Sequence, residues 1–133
     1  MKIQGGCYCG EIRYLSLGQP QASIQCHCRE CQYITGGNAN VIIIMPVDEF
    51  KIVRGKPKEF KRKDIENAVT RLFCDKCGTA IGTKSPSRPK SIILKVGPLD
   101  DPSIFDLKIA IFTIDKQKFH YIDDNLKCFD KKP

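Results

Sequence analysis

The sequence contains few residues of several types and no long apolar run. These absences exclude some classes of protein. It has no tryptophan, two histidines and two methionines among 133 residues. No apolar run reaches the roughly 18 residues of a membrane-spanning helix. The longest, VIIIMPV at residues 41–47, has the length of a buried strand. The first residues, MKIQGGCYCG, lack the apolar stretch of a secretory signal, so we expect a cytoplasmic protein with no membrane partner.

Long helical patterns are also lacking. Apolar residues recur in short β-branched runs, so no helix longer than two turns is predicted. A short helix is expected within residues 100–106, with Asp101 as its cap and Pro102 at its first position. The candidate strands lie at residues 11–17, 22–28, 40–46, 50–55, 59–63, 68–74, 79–84, 91–97 and 107–114. With no repeat or linker, this pattern predicts one mainly antiparallel all-β domain over residues 1–133.

Acidic residues are fewer than basic ones. Twenty-two lysines and arginines against fifteen acidic residues give a net charge of +7, which favours anionic partners. The charges are scattered along the chain, so solubility explains them equally well. Nucleic acid is the less favoured partner, because no stripe of aromatic and basic residues accompanies the cysteine motifs.

Cysteine, by contrast, is abundant. Seven of the eight cysteines fall into three tight groups, and the eighth stands alone. The groups are Cys7 and Cys9; Cys26, Cys28 and Cys31; and Cys74 and Cys77; the lone residue is Cys128. In a reducing compartment this density indicates metal binding or catalysis rather than disulfides.

Two of the groups together supply four thiolates. A C-x-C pair on a strand directs both sulfurs to one face, and a C-x2-C knuckle turns the chain between its two sulfurs. Gly78 permits the tight backbone that such a knuckle needs. A structural zinc takes four tetrahedral ligands, so the simplest pairing is Cys7, Cys9, Cys74 and Cys77 around one zinc ion.

The remaining group, Cys26, Cys28 and Cys31, offers only three ligands. Three protein ligands plus a water or a substrate is the arrangement of catalytic zinc, so we expect an exogenous fourth ligand. An incoming thiolate would suit a zinc already held by three thiolates. Three alternatives stay open: His27, Cys128 or a residue of another subunit could close the site. His27 is disfavoured because its side chain should point away from its neighbours on a strand.

Four motifs in a fixed order carry a family resemblance. They are GGCYCGEIRY at residues 5–14, CHCRECQYITGG at 26–37, RLFCDKCGTAI at 71–81 and VGPLDDP at 96–102. Together they resemble the glutathione-dependent formaldehyde-activating enzyme family, which includes centromere protein V. The resemblance implies a β-tent fold, with several twisted antiparallel sheets organised around zinc. It implies the same division into a four-cysteine structural site and a three-cysteine second site. Ala110 and Phe119 stand where many relatives carry histidine and tryptophan.

The resemblance also implies an activity, the condensation of glutathione with formaldehyde to S-hydroxymethylglutathione, which is grouped with carbon–sulfur lyases. Glutathione would be the substrate or ligand, and zinc at Cys26, Cys28 and Cys31 the reacting centre. Arg29 or Arg13 could orient the carboxylates of glutathione. The Gly36–Gly37 turn would let backbone N–H groups approach the ligand closely.

Two functions are therefore predicted as alternatives. The first is a zinc-dependent carbon–sulfur lyase or synthase acting on glutathione or a related thiol–aldehyde adduct. The second is a non-enzymatic zinc module that binds glutathione, a protein partner or nucleic acid. The sequence gives no prediction of the oligomeric state or of the role of Cys128.

Overall fold

The computed structural model describes residues 1–133 and contains eleven strands and one α-helix. The strands are β1 Lys2–Gly6, β2 Arg13–Leu17, β3 Ala22–Cys26, β4 Asn40–Pro46, β5 Phe50–Arg54, β6 Lys58–Lys61, β7 Thr70–Phe73, β8 Ala80–Lys84, β9 Ser91–Lys95, β10 Ile109–Ile111 and β11 Lys127–Cys128. The helix, α1, is Arg29–Thr35. The expected all-β class is thus confirmed. No helical segment is long and apolar enough to cross a membrane.

All nine predicted strands are present, and three elements were missed. Strand β1 contains two glycines, and β11 has only two residues, so neither carries a strand pattern. Helix α1 buries only Gln32 among its seven residues, so it lacks an apolar stripe. It is delimited instead by its ends, with Cys28 as N-cap and left-handed Gly36 as C-cap. The expected short helix near residue 102 is a 3₁₀ turn, Pro102–Ile104, capped by Asp101 as predicted.

The strands form two sheets. A three-stranded sheet has the order β1-β2-β5, and an eight-stranded sheet has the order β11-β10-β3-β4-β9-β8-β7-β6. Pairing is antiparallel except at one edge, where β10 runs parallel to both β3 and β11. The mainly antiparallel prediction therefore holds with this exception.

Strand β4 is buried on both faces of the large sheet, which explains its continuous apolar sequence. Ile43 and Met45 pack into the main core together with Tyr14 of β2, on the side of the small sheet. Ile42 and Ile44 point to the opposite face, where they join a smaller apolar cluster with Ile24 of β3. Each such isoleucine contributes about 1.5–3 kcal/mol when fully buried.

The two faces of the large sheet carry different cysteine groups. Cys7 and Cys74 belong to the main core, on the side of Ile43 and Met45. Cys26 follows Ile24 by two residues on β3, so it points to the face of the smaller cluster. The fold therefore separates the two candidate metal sites with one sheet.

Candidate metal centre

The first site is the four-cysteine cluster, defined as Cys7, Cys9, Cys74 and Cys77. Their Sγ atoms all lie within 4.8 Å of one another. The Cys7 and Cys9 sulfurs are 3.6 Å apart, and those of Cys9 and Cys74 are 3.8 Å apart. The structure thus brings together the two groups that the ligand count had paired.

Local backbone geometry builds this cluster. Left-handed Gly78, with φ of 77°, closes the knuckle, and its N–H donates to the carbonyl of Cys74 at 2.8 Å. The Ile12 N–H donates to the Cys7 sulfur at 3.2 Å. The Thr79 hydroxyl lies 3.1 Å from the Cys77 sulfur and lowers the pKa of that thiol to about 6. Such contacts favour the thiolate form that binds metal.

The sulfur separations fit a zinc ion. Four sulfurs at about 2.3 Å from a tetrahedral zinc are about 3.8 Å from each other. The observed separations of 3.6 and 3.8 Å match that value, whereas a disulfide would hold its sulfurs about 2.05 Å apart. All eight cysteines are free in the structure.

The second site is the three-cysteine cluster, defined as Cys26, Cys28 and Cys31, whose sulfurs also lie within 4.8 Å of one another. Cys26 ends β3, Cys28 caps α1 and Cys31 lies in the first turn of that helix. The Cys31 N–H donates to the Cys28 sulfur at 3.4 Å. The amide of Asn40, on β4, donates to the Cys31 sulfur at 3.5 Å. The three thiols converge because the end of β3 is followed directly by the start of α1.

No fourth histidine, cysteine or carboxylate of the chain joins these three sulfurs. His27 is fully buried, and its Nδ1 lies 2.9 Å from Nδ1 of His120. Cys128 is exposed on β11, where its thiol donates to the carbonyl of Leu126. The sequence left His27 and Cys128 open as a fourth ligand from this chain. In the structure, neither joins the three sulfurs.

The three-cysteine cluster adjoins a cavity of about 620 Å³, which Cys28 helps to line. The loop around Asn67, the loop around Pro86, Phe112 and Lys132 form other parts of its wall. Asn67 and Phe112 have φ values of 57° and 53° and are the chain's two non-glycine residues with positive φ. Such strained backbone concentrates at ligand sites, because the surrounding structure must hold it in place.

The thiols of this cluster differ in pKa, and the pKa of the buried Lys95 is also shifted. Hydrogen bonds from Cys26 and Cys31 lower the pKa of the Cys28 thiol. The bond to Cys28 raises the pKa of the Cys26 thiol. Burial lowers the pKa of Lys95 to about 8, against an opposing effect of the charge on Cys31. Cys28, the thiol at the cavity, is thus the one most readily ionised.

The residues expected to position glutathione have other contacts in the structure. Arg29 is exposed, donates to Gln32 and lies with its guanidinium 5.3 Å from the ring centroid of Tyr33. Arg13 pairs with Asp100 beside the four-cysteine cluster and does not line the cavity. The roles of Arg29, Gly36 and Gly37 towards glutathione stay predictions.

Gly36 and Gly37 have structural explanations. Gly36 ends α1 with φ of 87°, and Gly37 has φ of 133°. A Cβ atom at either position would meet nothing within 4 Å, so the backbone conformation rather than space requires glycine. The carbonyl of Gly37 lies 2.8 Å from Nε2 of His120.

Sequence reasoning assigned no role to two groups near the three-cysteine cluster. His120 and Lys95 are both buried, yet they are distant in sequence from the cysteine motifs. Lys95 lies within the apolar strand SIILK. A lone lysine in such a strand is the sequence signal that could have identified it. His120 is one of only two histidines, which was a weaker one.

Known proteins are similar to this chain in sequence and in fold. The sequence model of the family described as glutathione-dependent formaldehyde-activating enzyme matches residues 2–115. A Halomonas elongata protein, whose name assigns it provisionally to these enzymes, is 24% identical over 97 residues, covering 69% of this chain. The chain spans 62% of that relative's length.

A crystal structure of a Rhodobacter sphaeroides protein has a TM-score of 0.61 and 18% identity. The alignment covers 78% of this chain and 96% of that chain, which shows a shared fold. The family match includes all seven cysteines of the two clusters and every strand except β11. The chain therefore belongs to the glutathione-dependent formaldehyde-activating enzyme family.

Proposed function

We propose that the protein is a zinc-dependent carbon–sulfur lyase or synthase that acts on glutathione or a related thiol–aldehyde adduct. The observation that carries the proposal is a three-thiol cluster whose Cys28 lines a cavity of about 620 Å³. The family membership and the name of the Halomonas elongata relative support the substrate class.

The four-cysteine cluster would hold a structural zinc, because four protein sulfurs close a tetrahedral site. The three-cysteine cluster would hold a second zinc, with its fourth position left for substrate. Zinc bound there would lower the pKa of a thiol or withdraw electron density from an aldehyde oxygen.

The chain's own residues would position the reactants. Ile65, Val69 and Phe112 would supply apolar contacts in the cavity wall, and Lys132 would offer a positive charge for a carboxylate. In the synthesis direction the thiol sulfur bonds to the aldehyde carbon, and the thiol proton ends on the aldehyde oxygen. The lyase direction reverses both changes.

We place this activity in the cytoplasm. Eight cysteines, seven of them in metal-ligand arrangements, favour a reducing compartment, where thiols stay reduced.

Native mass spectrometry of zinc-replete protein tests the proposal. We expect the wild type to carry two zinc ions and to retain glutathione. Cys28→Ser should keep one zinc and lose glutathione. Cys128→Ser is the matched control, because this exposed thiol belongs to neither cluster, and it should behave as the wild type.

Turnover is then measured by exchange NMR of a glutathione–formaldehyde mixture. We expect wild type to accelerate adduct formation and breakdown over the uncatalysed rate, and Cys28→Ser not to. Retained glutathione without acceleration would favour a non-enzymatic carrier. One zinc and no retained glutathione would favour a structural zinc module that binds a protein or nucleic acid.

A further inference from the structure

Lys95 is a buried lysine whose ammonium has no hydrogen-bond partner. It ends β9, its residue is 8% exposed, and its Nζ lies out of contact with solvent. A buried cation without a compensating anion is costly to the fold. A charged Lys95 therefore requires a negative charge nearby.

The sheet register places Lys95 on the face of the three-cysteine cluster. Lys95 pairs with Ile42 across β9 and β4, and paired residues point to the same face. Asn40, two residues before Ile42, shares that face and pairs with Cys26 of β3. The Asn40 amide in turn contacts the Cys31 sulfur at 3.5 Å. One strand thus separates Lys95 from the strand that carries Cys26.

The charged groups that act on Lys95 identify its counter-charge. The strongest effects come from the thiols of the three-cysteine cluster and from one cation, Arg71. No carboxylate is among them. Arg71 is itself compensated, since its guanidinium lies 3.8 Å from the carboxylate of Glu30. The cysteine sulfurs are therefore the anions that act most strongly on the ammonium of Lys95, and they lie on its face of the sheet.

Charge counting shows what this ammonium would favour. A divalent zinc with three thiolates carries one negative charge in total. A neutral fourth ligand leaves that charge unchanged, whereas a thiolate raises it to two. A fixed cation in a low-dielectric surrounding stabilises the more negative state preferentially.

We propose that Lys95 is a positioning residue whose ammonium makes the three-cysteine cluster select an anionic thiolate, rather than a neutral oxygen or nitrogen ligand, as the fourth ligand of its metal. This inference rests on the proposed function and goes further, because it assigns the metal-bound position to the thiol and not to the aldehyde.

Cobalt(II)-substituted full-length protein provides the test, because its visible spectrum changes when a ligand binds the metal. Glutathione, 2-mercaptoethanol and the neutral ligand imidazole are titrated into wild type, Lys95→Met and Lys95→Arg. Lys84→Met is the matched control, since Lys84 is an exposed lysine on the neighbouring strand β8. Circular dichroism establishes that each variant is folded, and Lys95→Gln is a second neutral variant should Lys95→Met not fold.

We expect Lys95→Met to weaken the binding of both thiols roughly tenfold or more, while imidazole binding stays the same or improves. Lys95→Arg should retain thiol affinity, and Lys84→Met should match the wild type. Equal thiol affinity in wild type and Lys95→Met would overturn the role of Lys95 alone. No spectral response of the wild type to any thiol would overturn the proposed function as well, so the two failures are distinguishable.

Discussion

The imidazoles of His27 and His120 meet in the interior of the protein, with their Nδ1 atoms 2.9 Å apart across 93 positions of sequence. Nε2 of His120 faces the carbonyl of Gly37, so that nitrogen carries the proton and Nδ1 of His120 is an acceptor. The donor in the histidine pair is therefore Nδ1 of His27. The pair joins the three-cysteine loop, the end of α1 and the C-terminal segment.

Gln32 extends this connection. Its side-chain amide donates to the carbonyl of His27 at 2.8 Å and to that of Asp115 at 3.0 Å. Gln32 is the buried residue of α1, and the helix is thereby fixed against the segment that follows β10. The position of Cys31 on this helix depends on these contacts.

We predict that His120→Ala destabilises the fold by about 1–3 kcal/mol, because it leaves the buried His27 imidazole without its partner. Urea unfolding measures the change. Tyr121→Ala is the matched control, since its side chain is exposed and only its backbone carbonyl is bonded, to Gln25. Equal destabilisation by the two substitutions would contradict the role given to the histidine pair.

The two cysteine clusters should respond differently to the loss of one thiol. Cys77→Ser removes a ligand from a cluster built into the main core, so we expect a lower zinc content and a melting temperature lower by about 10 °C or more. Cys28→Ser should keep the melting temperature within a few degrees, because Cys28 lies at a cavity wall.

Thermal melting followed by circular dichroism, with zinc measured on the same samples, checks this pair. A similar loss of structure in both variants would show that the two clusters do not divide into a structural and a functional site.

Glu30 links α1 to the wall of the cavity. Its carboxylate lies 3.2 Å from the guanidinium of Arg62 and 3.8 Å from that of Arg71, and Arg62 comes just before the loop that contains Asn67. Glu30 and Arg62 are 47% and 41% exposed, so Glu30→Gln should cost less than about 1 kcal/mol. We expect faster hydrogen exchange in the loop around Asn67, without global destabilisation.

Glu66→Gln is the control for that experiment, because Glu66 is exposed in the same loop and forms no ion pair. Unchanged exchange in Glu30→Gln, or the same acceleration in both variants, would show that the ion pairs of Glu30 do not order the cavity wall.

Substitutions of Gly36 distinguish a requirement of the fold from a requirement of ligand binding. We predict that Gly36→Ala costs about 1–2 kcal/mol, because alanine disfavours the left-handed φ of 87°. Gly36→Asn should cost less, because asparagine tolerates this conformation. If thermal melting showed equal costs, the left-handed cap would not explain the glycine. Loss of glutathione binding in folded Gly36→Asn would instead support the predicted approach of backbone to ligand.

The sequence determined the features that depend on short-range geometry. The continuous apolar run of β4 and the turn residues around it predicted that strand with its correct ends at Asn40 and Pro46. The spacing within each cysteine group limits which thiols can share one metal, and the need for four ligands paired Cys7 and Cys9 with Cys74 and Cys77. The structure brings those four sulfurs together.

Only the tertiary structure decided what surrounds the three-cysteine cluster. The contact of His27 with His120, the cavity beside Cys28 and the burial of Lys95 arise from strands and loops that are far apart in sequence. Helix α1 likewise depends on caps and on Gln32 rather than on an apolar stripe. Local pattern contains no information on such pairings, because their energies are gained only when the sheet order and register are complete.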